Sequence, residues 1–176
     1  MLNFSTKQMV IIALMVAMEI VLTRFLSIET PIIRLSFGFV AIAVVAMLYG
    51  PVSGAMAAVL AVIIGINFFS GLTPHPGLML TALLMGYVYG IFMHKHIGNR
   101  VRIIAAAVIV TVVLQLGLDT LWLQMITGTS YMALLGPRLI RTAIMLPIQI
   151  VLITAVARIL SVDEIRRIAI QEGRKI

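Results

Sequence analysis

Residues 102–126 read RIIAAAVIVTVVLQLGLDTLWLQMI, a run whose only charges are Arg102 at its start and Asp119 in its second half. Crossing the hydrocarbon core of a bilayer takes roughly 17–25 apolar residues in one helix, because backbone exposed to lipid must be helical or part of a closed barrel. The run is continuous rather than alternating, which predicts a helix and not a strand. Working outward, similar runs occupy 8–26, 35–48, 52–69 and 77–94 before it and 138–160 after it. The expected fold is an all-α integral membrane protein, one domain over residues 1–176 built as a single bundle of six transmembrane helices. The polar tail, 162–176, is expected to form a short cytoplasmic or interfacial helix.

Composition leads to the same class. The chain is 62% hydrophobic and 11% charged, with a mean hydropathy of +1.17. Soluble domains are closer to half apolar and a quarter charged, and 176 residues enclose too little interior to hide the difference. The formal charge of +7 does not point to nucleic acid, because the basic residues cluster at the ends of apolar runs, where they act as topology determinants. No cysteine is present, which excludes disulfides, thiolate metal sites and cysteine nucleophiles. Lys7 precedes the first apolar run without a small-residue cleavage site, so that run is expected to be a span and not a removable signal.

Proline and glycine mark the expected breaks. Pro31 precedes helix 2, Gly50-Pro51 makes a tight turn, and the stretch from Gly71 to Gly77 cannot be helical throughout. Gly128 and Gly136-Pro137 bracket the last loop. Helix 2 is short for a span and is expected to be tilted, shielded by protein, or matched to a thinned bilayer. With six helices both termini share one side, which would carry Lys7, Lys95, Arg100, Arg102, Arg158, Arg166, Arg167, Arg174 and Lys175. The other side would carry Arg24, Arg34, Arg138 and Arg141, so the excess places both termini in the cytoplasm.

Those outward arginines run against the usual charge bias. An ionisable group at that depth is costly unless it is paired or lines a polar cavity, and a guanidinium fork matches carboxylates bidentately. They could pair with Glu19, Glu29 and Asp119, snorkel to headgroups, or hold a carboxylated solute. Glu19 and Asp119 lie within apolar helices and must be paired, protonated or functional; either could accept two hydrogen bonds from an aminopyrimidinone edge. His75 stands between two prolines whose rigidity suits a lid or rim. Trp122 and Tyr131 fit either an interfacial aromatic belt or stacking on a ligand ring, and Asn67 and Gln115 are polar side chains within apolar helices whose default explanation is helix-to-helix hydrogen bonding. Ala13 and Ala17 on helix 1, and Gly54, Ala57, Ala58 and Ala61 on helix 3, form small-residue stripes suited to bundle packing or to docking of another membrane protein.

Several chemistries are missing. The sequence holds no GxxxxGK[ST] phosphate loop, no HExxH, and no nucleophile with a plausible base. No cofactor is expected, nor is nucleic-acid binding. Six helices without paired half-helices do not make a complete secondary transporter, so a solute-binding subunit fits better than an enzyme or a pump. A membrane assembly protein, its small-residue faces serving helix contact alone, is the alternative from another class.

A family resemblance is carried by Pro31-Ile32-Ile33-Arg34-Leu35-Ser36-Phe37-Gly38-Phe39 and the turn Tyr49-Gly50-Pro51-Val52-Ser53-Gly54. Leu118-Asp119-Thr120-Leu121-Trp122-Leu123 and Gly136-Pro137-Arg138-Leu139-Ile140 extend it, and Ala13-Leu14-Met15-Val16-Ala17 matches a docking signature of alanines four apart. Over these stretches the chain resembles the folate-family S components of energy-coupling factor (ECF) vitamin transporters. The resemblance implies six helices with both termini inside and an outer pocket built from the loops after helices 1, 3 and 5. It also implies a shared module of one transmembrane coupling subunit and two ATPase subunits, docked at Ala13 and Ala17, with the S component toppling in the membrane. The implied substrate-binding set is Arg34, Arg138, Arg24, Asp119, Trp122, His75, Asn67 and Tyr131, with Arg34 and Arg138 on carboxylates, Asp119 or His75 on the pterin, and Trp122 stacking. Two positions depart from the family pattern: Val62 replaces an Asp and Asp119 replaces an Asn. They leave pantothenate, pyridoxine or a thiamine pyrimidine precursor as alternative vitamins, although the outward arginines favour a carboxylated one.

Overall fold

The computed structural model describes residues 6–25, 27–29, 34–69, 75–94 and 97–160, with the backbone alone at 28–29, 34–35 and 69. Six helices follow in order: α1 (Thr6–Arg24), α2 (Phe39–Tyr49), α3 (Pro51–Phe69), α4 (Pro76–Met93), α5 (Arg100–Thr127) and α6 (Tyr131–Leu160). Five are long and apolar enough to cross a membrane. Between α1 and α2 runs a short ladder the apolar pattern did not announce, β1 (Ile28–Glu29) paired antiparallel with β2 (Arg34–Leu35). The expected tail at 162–176 lies outside the described residues.

Helix boundaries follow local chemistry. Pro51 and Pro76 open α3 and α4, where a missing N–H costs nothing. Gly50 turns α2 into α3 with φ 90, a conformation that suits glycine, and its N–H closes on Ala46 O at 3.1 Å. His94 Nδ1 lies 2.9 Å from the Met47 carbonyl, occupying one of the acceptors that the end of α2 leaves open. Asn99 caps α5 through Val101 N at 3.1 Å, and Gly128 ends it in the left-handed region.

Two boundaries differ from expectation. Helix 2 starts at Phe39 rather than 35, and it is buried on almost every side, so neighbouring helices shield the short span. Helix 6 starts at Tyr131 rather than 138, with Pro137 and Pro147 inside it. Ser130 caps its first turn through Ala133 N at 3.4 Å. An interior proline then costs a local hydrogen bond, which transmembrane helices tolerate, and does not end the helix.

Packing relies on small residues, since lipid offers helices no hydrophobic drive to associate. A Cβ on Gly86 would lie 2.2 Å from Gly54 O, and one on Gly90 would lie 2.2 Å from Pro51 Cα, so α3 and α4 touch backbone to backbone. Ala57, Ala58 and Ala61 are buried beside them. The stripe on α1 behaves differently: Ala13 and Ala17 are exposed, and with Met9, Met56 and Leu60 they line an apolar groove of about 520 Å³ between α1 and α3. In mid-bundle, Thr111 donates to Gln149 Oε1, and Gln149 Nε2 donates to Tyr89 Oη, all three side chains fully buried.

Candidate functional site

At one end of the bundle the C-terminal halves of α1, α3 and α5 meet the N-terminal halves of α4 and α6. They line an open-mouthed cavity of about 330 Å³, within the usual range for a small-molecule site. Its polar wall is Glu19, Thr23 and Arg24 from α1, Thr81 from α4, Gln115 and Asp119 from α5, Arg141 from α6, and Ser36. Its apolar wall includes Ala61, Val62 and Ile66 from α3 and Leu78, Ala82 and Met85 from α4.

The inward turn of Asp119 has a local cause. Buried positions on α5 run Ile103, Ala106, Ala107, Val110, Thr111 and Leu114, an α-helical spacing. That spacing continues to Leu118, which packs against the core, and would next bring Leu121 inside. Instead Ile109–Leu118 winds as a π-helix, which fits more residues into each turn. Gln115 and Asp119 therefore face the cavity and Thr120 is fully buried, while Leu121 is 38% exposed. Arg138 fastens this segment to α6: its Nη1 donates to the Gln115 carbonyl at 3.2 Å and to Thr120 Oγ1 at 3.0 Å.

The α1 wall is held as firmly. Thr23 Oγ1 donates to Glu19 Oε1 at 2.9 Å, and Arg24 Nη2 donates to the Gly65 carbonyl of α3 at 2.9 Å. Gly38 closes against this pair, since a Cβ there would lie 2.0 Å from Thr23 Oγ1 and 2.7 Å from Glu19 Oε1. On the opposite wall, His75 Nδ1 caps α4 by accepting from Gly77 N at 3.2 Å. The Trp122 ring lies directly over Gly77 and 5.8 Å from the His75 ring, with its Nε1–H donated to Thr81 Oγ1 at 3.2 Å. Thr81 Oγ1 in turn donates to the Gly77 carbonyl at 3.2 Å, and the Thr81, Asp119 and Arg141 side chains line the same cavity.

The structure therefore gathers Arg24 and Asp119 from the expected set into the cavity wall and sets Arg138 immediately behind it. Trp122 and His75 form a clasp behind Thr81. Asn67 is exposed and donates back to Ile63 O at 2.8 Å, and Tyr131 opens α6; neither lines the cavity. The backbone of Arg34 pairs with Glu29 just before Ser36, and its side chain lies outside the described residues. Sequence reasoning missed Thr23 and Thr81, weighed Gln115 chiefly as a packing group, and left Arg141 and Glu19 out of the binding set. The spacing of four in Glu19 and Thr23, and in Gln115 and Asp119, is the signal that would have placed each pair on one helix face. Val62 and Asp119, the two positions expected to bear on the choice of vitamin, both line the cavity.

Six apolar helices, five of which line a charged, open-mouthed cavity at one end, define a multi-pass membrane protein built to bind a solute. The chain belongs to the family described as "ECF transporter, substrate-specific component", whose profile matches residues 7–157. It is 37% identical over 145 residues to the folate transporter FolT of Clostridium novyi (strain NT), covering 82% of this chain and 84% of that one. It is 30% identical over 154 residues to the folate transporter FolT of Leuconostoc mesenteroides, covering 84% and 83%. In three dimensions it resembles the crystal structure of FolT bound with folic acid, with a TM-score of 0.81 and 31% identity over 88% of this chain and 94% of that one.

Proposed function

We propose that this chain is the folate-binding S component of an ECF-type importer, capturing the vitamin at the outer end of the bundle. The observation that carries the reading is the mixed charge of one cavity: two carboxylates, Glu19 and Asp119, share it with two guanidinium groups, Arg24 and Arg141. Folate is amphoteric in the same sense, with a pterin edge rich in donors and a glutamate tail bearing carboxylates. Asp119 accepts from the pterin edge, and Arg24 and Arg141, joined by Arg34, hold the carboxylates of the tail, while Arg138 braces the wall from behind. The apolar wall of Val62, Ile66 and Met85 takes the flat ring face. The names of the relatives and the folic acid in the similar structure support the same ligand.

Inward delivery falls to partners. The exposed Ala13 and Ala17 face docks on the transmembrane coupling subunit, the groove between α1 and α3 admitting its apolar side chains. Two ATPase subunits attached to that partner hydrolyse ATP. Calorimetric titration of the detergent-purified chain with folate, without ATP, tests the ligand. Saturable binding at one site is expected, weakened at least tenfold in Asp119→Ala, which loses a hydrogen bond to a charged group. Binding of pantothenate, pyridoxine or a thiamine pyrimidine precursor in place of folate would mean that Val62 and Asp119 have redirected the site.

A further inference from the structure

We propose that His75 is a positioning residue for the vitamin site: as the neutral N-cap of α4 it holds the first turn of that helix, so that the wall formed by Leu78 and Thr81 keeps its shape around the ligand. His75 does not line the cavity; α4 enters the lining at Leu78, Thr81, Ala82 and Met85. The His75 backbone is extended, at φ −106 and ψ 126, and Pro76 follows it at the start of the helix. Its imidazole Nδ1 accepts from Gly77 N at 3.2 Å, and its carbonyl accepts from Leu78 N at 3.0 Å. One residue thus satisfies two of the N–H groups that a helix start leaves open.

The cap holds more than one turn of backbone. The Gly77 carbonyl accepts from Thr81 Oγ1 at 3.2 Å, and Thr81 Oγ1 accepts from Trp122 Nε1 at 3.2 Å. A Cβ on Gly77 would lie 2.2 Å from Trp122 Cδ2, and the His75 and Trp122 rings stand 5.8 Å apart. The first turn of α4, the Thr81 hydroxyl and the indole from α5 are therefore one packed unit, with Leu78 and Thr81 as its cavity face. Fraying that turn moves Leu78 and removes the seat of Trp122.

Such a cap has a chemical signature. A histidine nitrogen accepts only when it carries no proton, so the bond from Gly77 N requires the neutral ring with its hydrogen on Nε2. In the imidazolium both nitrogens donate, and the cation would also face the positive end of the helix dipole. The contribution of the cap is therefore present when histidine is neutral and is lost as falling pH protonates it. Among the described residues, the other titratable groups at this end are Glu19 and Arg24 on α1, Asp119 on α5, and Tyr131, Arg138 and Arg141 on α6, while α3 brings none. Replacing His75 leaves all of them in place.

This inference rests on the folate reading, and the experiment separates the two. Folate affinity is measured by calorimetry at about pH 7.5 and about pH 5.5, on either side of the usual histidine transition. Wild type is compared with His75→Asn, which offers a cap acceptor that does not titrate, and with His75→Ala, which offers none. At the higher pH, His75→Asn is expected to bind within about threefold of wild type and His75→Ala about fivefold or more weaker. At the lower pH, wild type is expected to lose about fivefold more affinity than His75→Asn. Should His75→Ala fail to fold, the two pH profiles of wild type and His75→Asn decide alone. Parallel profiles overturn the proposal, as does an equal loss in His75→Asn and His75→Ala at the higher pH, which marks direct contact with the ligand. A wild-type chain that binds no folate overturns the proposed function and the role of His75 with it.

Discussion

Replacing Gly38 by alanine should lower both stability and ligand affinity, and the magnitude follows from the geometry. Gly38 has φ −59 and ψ −27, an ordinary right-handed conformation open to any residue. On backbone entropy alone, alanine there would stabilise the protein by about 0.4–1 kcal/mol. The added methyl would stand 2.0 Å from Thr23 Oγ1, 2.7 Å from Glu19 Oε1 and 3.1 Å from the Glu19 carbonyl. Rotating Thr23 away breaks its bond to the Glu19 carboxylate, worth about 1.5–3 kcal/mol, and leaves that group without the donor. Moving α2 instead incurs an overpacking cost of about 1–3 kcal/mol. Either cost exceeds the entropic gain, so a net loss of about 0.5–2 kcal/mol is expected. Gly117 is the matched control: it lies within α5, has no positive φ, and a methyl added there would meet only the Val112 carbonyl, at 3.8 Å, so Gly117→Ala should stabilise by about 0.5–1 kcal/mol. Thermal unfolding in detergent, followed by the fluorescence of the single tryptophan, reads both variants. A Gly38→Ala protein as stable as wild type, with unchanged folate affinity, would refute the close approach of α2 to the cavity wall.

Three further outcomes are expected. Arg138→Met, which removes the donor to Gln115 O and Thr120, should cost about 1–3 kcal/mol of stability and weaken folate binding at least tenfold by calorimetry, because the π-helical segment loses its tie to α6. Gln149→Leu strands the Thr111 and Tyr89 hydroxyls in the bundle centre and should lower thermal stability by about 1–3 kcal/mol while leaving folate affinity within about twofold. Ala13→Leu combined with Ala17→Leu should leave folate binding intact and abolish co-purification with the coupling subunit; retained co-purification would remove the docking role from this face.

The bundle was legible because its apolar runs are long, uncharged and separated by proline and glycine, so Pro51 and Pro76 open helices close to where the expected breaks fell. The start of α6 was hidden because Gly136-Pro137 is a strong break signal in water and a weak one among helices in lipid, and the modest cap at Ser130 decides it. The cavity was half legible. Its charges stood out against apolar helices, and the described outward arginines, Arg24, Arg138 and Arg141, do converge on one end. The hydroxyls of Thr23 and Thr81 did not stand out, because a threonine within a helix looks like any other until its partner across the bundle is known. The π-helical segment was illegible, since Leu118 and Leu121 continue the apolar pattern and only packing and the Arg138 bonds turn Asp119 and Thr120 inward. The two alanine stripes were likewise indistinguishable in sequence; that of α3 is buried and that of α1 is exposed.

Native mass spectrometry of the detergent-purified chain, expressed in cells supplied with mixed vitamins, tests the central claim most directly. A one-to-one complex with folate is expected, persisting without ATP and without any partner subunit and disappearing in Asp119→Ala. A chain that carries a different vitamin, or none after incubation with excess folate, would contradict it.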